Sequence, residues 1–159
     1  MRDIAAALEA ESPTEAVRQQ LAQSHYSFGA MLEFTGKPAE AMAAYRRSLT
    51  IRQKLVDDNP ASNEFQRDLA LSHLAVGDLL GTTGKLAEQL ESYRKGLAIY
   101  QKLFDADPGN NEFQGYLADG FRNVGIALFN MGRPTEALEA LRKALAIFQK
   151  RLEDRKSVV

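Results

Sequence analysis

The sequence predicts an all-α fold, a solenoid of stacked antiparallel helix pairs, and three observations carry that expectation. A helical pattern opened by a glycine turn recurs as TGKPAEAMAAYRRSLTIRQKL from Thr35, TGKLAEQLESYRKGLAIYQKL from Thr83 and MGRPTEALEALRKALAIFQKR from Met131. The turn glycines Gly36, Gly84 and Gly132 stand 48 residues apart each time. Self-similarity at a fixed period of this kind marks supersecondary units that stack because each satisfies its apolar faces only against its neighbours. No stretch alternates apolar and polar residues between turn signals, so no strand is expected.

Residues 2–10 read as a short helix, with Ile4, Ala7 and Leu8 on one side. IAAALEAESP from Ile4 has the pattern of IRQKLVDDNP from Ile51, so residues 2–11 form the trailing half of a unit. Unit one spans 13–59. Pro13, Thr14 and Glu15 suit a helix start, and Val17, Leu21, Phe28 and Leu32 recur at helical spacing, which predicts one buried face. After Gly36, Pro38 occupies a first turn, and Met42, Tyr45, Leu49 and Val56 supply the apolar face of a second helix. Asp57-Asp58-Asn59-Pro60 ends it, because proline restricts the residue before it and donates no hydrogen bond. Unit two (61–107) repeats this order from Asn63-Glu64-Phe65-Gln66, and unit three (110–155) from Asn111-Glu112-Phe113-Gln114. Seven helices are expected, one short and six long, in a single domain over 1–159, with the tail from Lys156 to Val159 irregular.

Lysine plus arginine (20) nearly balance aspartate plus glutamate (21), and a net charge of -1 offers no field for nucleic acid or an anionic membrane. No apolar run approaches the roughly 18 residues of a membrane span, and the first residues do not read as a signal peptide. A cytoplasmic location is expected. The absence of cysteine excludes disulfides and thiolate chemistry.

Small residues flank each turn: Gly29, Gly77 and Gly125 precede the turn glycine by seven positions, and Ala41 and Ala137 follow it by five. With Tyr45 and Tyr93 one helical turn further on, this pattern resembles the tetratricopeptide repeat family, and the resemblance runs over essentially the whole chain. It implies a right-handed α-solenoid of helix-turn-helix units. The family's usual unit is about 34 residues and ends in a proline; here Gln53, Gln101 and Gln149 stand in that place. The longer units are similar to those of kinesin light chains and of many bacterial multidomain proteins. Gln89 departs from the small residue at 41 and 137, which predicts either a wider helix crossing or an amide turned to water.

His25 and His73 fall at one position of successive units and Phe121 takes it in the third, so a packed planar ring is the expectation, with no metal site. The acids Asp57-Asp58, Asp105-Asp107 and Glu153-Asp154 read as solvated helix terminators. No phosphate loop, nucleophile elbow or zinc-protease motif occurs, and neither an enzyme activity nor a cofactor is expected.

The resemblance implies a function on the surface, since first helices of successive units line a concave groove that holds a peptide or a helix of a partner protein. The groove positions are Tyr26 and Glu33; Arg67, Leu71, Leu74 and Asp78; and Asp119, Arg122, Ile126 and Asn130. They differ between units while the packing residues repeat. The family's carboxylate clamp for chaperone tails has no counterpart, because Tyr26, Ala30, Ala75, Asp119 and Asn123 stand at its places. A structural or oligomerisation segment of a larger bacterial signalling protein is the alternative. Leu138, Leu145, Phe148 and Leu152 keep an apolar pattern in the last helix, only partly capped by Arg151, which predicts either self-association through that helix or a sequence cut from a longer array.

Overall fold

The computed structural model describes residues 14–156. Six long helices and no strand are found among them: α1 (Glu15–Phe34), α2 (Pro38–Asp58), α3 (Asn63–Thr82), α4 (Leu86–Ala106), α5 (Asn111–Asn130) and α6 (Pro134–Lys156). The short leading helix and half unit expected over residues 2–11 lie outside the described residues, as do Ser157, Val158 and Val159. The chain divides into two compact units, one ending at Ala61 and the other beginning at Ser62. The first holds the pair α1–α2. The second holds α3 to α6, each packed on the next.

The helix boundaries follow from local chemistry. Thr14 Oγ1 accepts from the Val17 amide at 3.3 Å and Ser62 Oγ from the Phe65 amide at 3.3 Å. Asn110 Oδ1 accepts from the amides of Glu112 and Phe113 at 2.9 and 3.3 Å. Each cap satisfies a first-turn donor that has no partner within the helix. At the other end of α1, Lys37 N donates to Leu32 O at 2.9 Å and Gly36 N to Glu33 O at 3.0 Å. This is a Schellman closure, which needs a left-handed residue at its hinge, and Gly36 has φ +75°. The same pair of bonds recurs at Gly84 and Gly132. These glycines are therefore hinges, with open space where a side chain would stand.

Within each pair the helices meet at the second set of glycines. A Cβ on Gly29 would lie 2.7 Å from the Tyr45 ring, one on Gly77 2.6 Å from the Tyr93 ring, and one on Gly125 2.8 Å from Leu141. Bare backbone is thus what lets a large side chain of the second helix lie flat on the first. The rings are 2% and 5% exposed, and each hydroxyl still finds an acceptor: Tyr45 donates to Glu33 Oε2 at 2.8 Å, and Tyr93 to Asp78 Oδ1. Burial, and then the bond to Asp78, push the Tyr93 hydroxyl well above its usual pKa, so it stays a donor.

In the second unit, Leu90 and Tyr93 of α4 pack with Val124, Ala127 and Leu128 of α5 and with Ala137 and Ala140 of α6. Ala70, Tyr100, Leu103 and Phe113 make a further cluster.

Two sequence expectations need correction. Of the α1 residues expected to be buried, only Leu32 is; Val17, Leu21 and Phe28 are exposed. Their counterparts in α5, Phe113, Leu117 and Val124, are buried because α4 covers them, and no described helix covers that side of α1. The Gln89 amide, in turn, is neither a wedge nor turned to water. It is 6% exposed, and its Nε2 donates to the Tyr93 hydroxyl at 3.3 Å. Room for it comes from Gly81, where a Cβ would stand 2.2 Å from that nitrogen. The corresponding pair in the first unit is Glu33 with Ala41, so bulk has moved across the crossing from one helix to the other.

This exchange predicts non-additive energetics. Gly81→Ala is expected to destabilise the wild type through overpacking. In a Gln89→Ala background it is expected to stabilise by about 1 kcal/mol, the ordinary helix-propensity gain. Urea denaturation of the four proteins of the cycle measures both values, and additive effects would show that the two side chains share no space.

Candidate interaction surface

First-helix side chains that take no part in the pair crossings are the candidate binding surface, and the structure places the ten expected residues in three different situations. Some serve the fold. Glu33 and Asp78 hold the tyrosine hydroxyls described above. Leu74, expected on an open groove, is half-buried: it packs beside both core clusters of the second unit, and a Cβ on Gly96 would meet it at 3.1 Å. The missing side chain at Gly96 draws Leu74 inward, a partner across the pair that the stripe pattern of one helix does not reveal.

A second group is half-buried and engaged in polar or ring contacts. Tyr26 lies 5.7 Å from the Tyr45 ring and beneath the guanidinium of Arg52, which stands 5.0 Å from its centroid. Arg52 is itself 4% exposed and donates to Gln23 Oε1 at 2.7 Å. This buried cation was not among the expected site residues, and the only hint of it is a charge at a position held by Tyr100 and Phe148 in the other units. Arg67 grips the neighbouring Asp68 through two bonds of 3.2 and 3.0 Å. That contact, with a smaller contribution from Tyr116, raises its pKa further above the usual arginine value.

The third group faces outward. Leu71 and Ile126 are exposed, as are Arg122 and Asn130. Arg122 forms a 3.1 Å ion pair with Asp119 on the same helix face, an exposed contact that leaves both groups available to a ligand. Phe129 joins them at 66% exposed and was missed. The register that places Glu33 in the stripe places Phe129 there too, 96 residues on. Along α5 the surface thus reads Asp119, Arg122, Ile126, Phe129 and Asn130, an apolar step framed by a charge pair and an amide.

Two surface pockets lie elsewhere. One of about 330 Å³ is lined by His25, Arg46, Arg47, Thr50 and Ile51, and one of about 340 Å³ by Ala87, Leu90, Glu91, Arg94, Met131 and Arg133. Neither includes an expected groove residue. The acidic helix ends are exposed, but Asp58 is more than a solvated terminator: Arg18 reaches it at 2.6 Å, and Asn59 donates to Glu15 at 2.8 Å, tying the start of α1 to the end of α2. Among the described residues no cluster of three or more potential metal ligands forms. No described helix is long and apolar enough to cross a membrane.

Two models of tetratricopeptide repeats match the sequence, one over residues 21–61 and one over 118–151. Over these residues the chain carries tetratricopeptide repeats. Repeats of this family form helical scaffolds for protein–protein interaction and are generally not enzymes. Among solved structures the chain is similar to BtubC (BKLC) from P. vanneervenii, at 17% identity and a TM-score of 0.71 over 94% of this chain. That match shows a shared fold, and the chain spans 54% of the BtubC chain. A second similar structure, MamA, has 16% identity and a TM-score of 0.41, covering 96% of this chain and 88% of that one. Comparison with curated proteins finds no match.

The shared position of His25, His73 and Phe121 is a half-buried ring site, as expected. In two of the three a cation of the second helix stands by: Lys143 Nζ is 5.4 Å from the Phe121 ring, and Lys95 acts on His73. Burial, reinforced by the Lys95 charge, pushes the His73 imidazole down from 6.5 to about 4. Folded His73 is therefore neutral at pH 7, while the unfolded chain takes up a proton as the pH falls below about 6.5. Protons favour unfolding in this window, so the contribution is complete above pH 6.5 and is lost as pH falls towards 4. His73→Phe, which copies the third unit, is expected to flatten the loss of urea midpoint between these pH values relative to wild type. Parallel curves for the two proteins would refute the assignment.

Proposed function

We propose that this chain is a protein-interaction scaffold that receives a peptide or helix of a partner protein on the outer faces of its first helices. The observation that carries this reading is the α5 stripe. Ile126 and Phe129 stay exposed beside Arg122, although the buried face of the same helix is filled by Phe113, Leu117, Val124 and Leu128. Apolar side chains left outside a well-filled core and framed by charge suit a ligand that brings both apolar anchors and an acceptor for arginine. Leu71 of α3 offers a further apolar contact.

A peptide-display selection on the full chain tests the reading. Selected peptides should lose at least tenfold in affinity, about 1.4 kcal/mol, with Phe129→Glu and with Arg122→Glu, while the thermal midpoint of both variants stays that of wild type. Peptides that bind both variants as tightly as wild type would refute the groove assignment. Leu74→Glu is unsuited to this test, since it would place a charge in the packed interior beside Gly96.

A further inference from the structure

The surface pocket beside His25 gathers cations whose counterparts in the other helix pairs are partnered. Each second helix carries a basic pair in the same register: Arg46 and Arg47 in α2, Arg94 and Lys95 in α4, Arg142 and Lys143 in α6. The residue four places before the second member is Glu91 in α4 and Glu139 in α6, but Ala43 in α2. Glu91 takes Lys95 at 3.1 Å, and Lys143 stands over the Phe121 ring at 5.4 Å. Arg46 and Arg47 are exposed and form no ion pair among the described residues. Sequence explains why: α1 holds no acid from Ala16 to Leu32, and α2 holds none from Ala41 to Val56. The carboxylates that flank these stretches are engaged elsewhere, Glu33 with Tyr45, Glu40 with Lys37 and Asp58 with Arg18.

These two guanidiniums line, with His25, Thr50 and Ile51, a pocket of about 330 Å³ whose walls come from α1 and α2 alone. Small-molecule sites run from about 300 to 1,000 Å³, so the space is larger than a bare oxyanion needs. We propose that this pocket binds a phosphate monoester, with the phosphoryl group on Arg46 and Arg47 and the organic body against Ile51. A monoester carries a charge of about −1.5 to −2 near pH 7 and three strong acceptor oxygens. Two uncompensated guanidiniums match that charge, and each offers a planar fork of donors that suits phosphate. His25 adds an imidazole N–H to the same wall. The Thr50 hydroxyl donates back to the Arg46 carbonyl at 3.0 Å, which leaves the basic groups as the donors for a ligand. Ile51 and the arginine stems supply apolar surface for the ester's body. A net charge of -1 over the whole chain does not oppose such a site, because charges beyond about 8 Å are largely screened at physiological salt. The pocket belongs to the first unit, whereas the α5 stripe belongs to the second.

An NMR titration of the full chain with phenyl phosphate tests the assignment. Phenyl phosphate should shift the resonances of His25, Arg46 and Arg47 and bind about fivefold tighter than inorganic phosphate, which lacks the apolar body. It should bind about tenfold tighter than benzoate, which keeps the ring but carries a single charge. Ala43→Glu gives α2 the acid that α4 and α6 carry, and it should weaken phenyl phosphate about tenfold without altering any lining residue. Arg46→Ala and Arg47→Ala should do the same. All three positions are exposed, and unaltered thermal midpoints check that the fold is kept. Phe129→Glu should bind phenyl phosphate as wild type does, so this site and the α5 stripe stand or fall separately. A short phosphotyrosine peptide distinguishes the source of the monoester: tighter binding than phenyl phosphate assigns the pocket to a phosphorylated side chain, and weaker binding assigns it to a free small molecule. Absence of phenyl phosphate binding, equal affinity for benzoate or inorganic phosphate, or undiminished affinity in Ala43→Glu would each overturn the proposal.

Discussion

The contact on which each helix pair depends is a large side chain of the second helix laid on bare backbone of the first. Tyr45 on Gly29, Tyr93 on Gly77 and Leu141 on Gly125 all stand closer than any side-chain carbon at the glycine would permit. Glycine in a helix interior costs roughly 1 kcal/mol against alanine, and here the loss is offset by burying an almost complete aromatic ring. The rest of the pair geometry follows from that approach. Where the large residue is tyrosine its hydroxyl is carried to the first helix, and an acid there, Glu33 or Asp78, must receive it. The third pair needs no such acid, because Leu141 carries no hydroxyl.

This constraint explains why the fold was legible in the sequence while parts of the site were not. The turn glycines and the first-helix glycines at 29, 77 and 125 recur at a fixed period, and each recurrence repeats the same backbone or packing requirement. Gln89 misleads because one side of a crossing does not reveal what faces it. The volume exchange with Gly81 involves two helices, and only the pair of positions taken together reveals it. The α1 face failed for another reason. Periodicity reports which residues share a face, but burial needs something opposite, and α1 has no described helix on that side.

The candidate surface shows the same division between what one helix reveals and what a pair determines. Spacing placed Tyr26, Glu33, Arg67, Leu71, Asp78, Arg122 and Ile126 on helical stripes, but it could not tell that Glu33 and Asp78 are committed to tyrosines. Nor could it show Leu74 drawn into the space beside Gly96. Phe129 was recoverable from register alone, since it shares its position with Glu33. Its exposure, however, is a property of the packed pair, in which Val124, Leu128 and Ala137 fill the neighbouring core.

In a repeat protein the interior and the surface are made of the same positions, and what distinguishes them is whether a neighbour is present. Tyr100 and Phe148 occupy one register, as do Val124 and Phe28, yet the first of each pair is buried and the second exposed. A position of this register keeps its apolar chemistry unless a polar residue replaces it. Arg151, in the place of Leu103, is such a replacement, and its guanidinium lies against α5 at Gly115, inside its own pair, where it leaves the outer face of α6 apolar. The proposed partner stripe on α5 differs from these positions in chemistry: it mixes charge with apolar groups that change from unit to unit, whereas the positions packed between helices keep one apolar pattern.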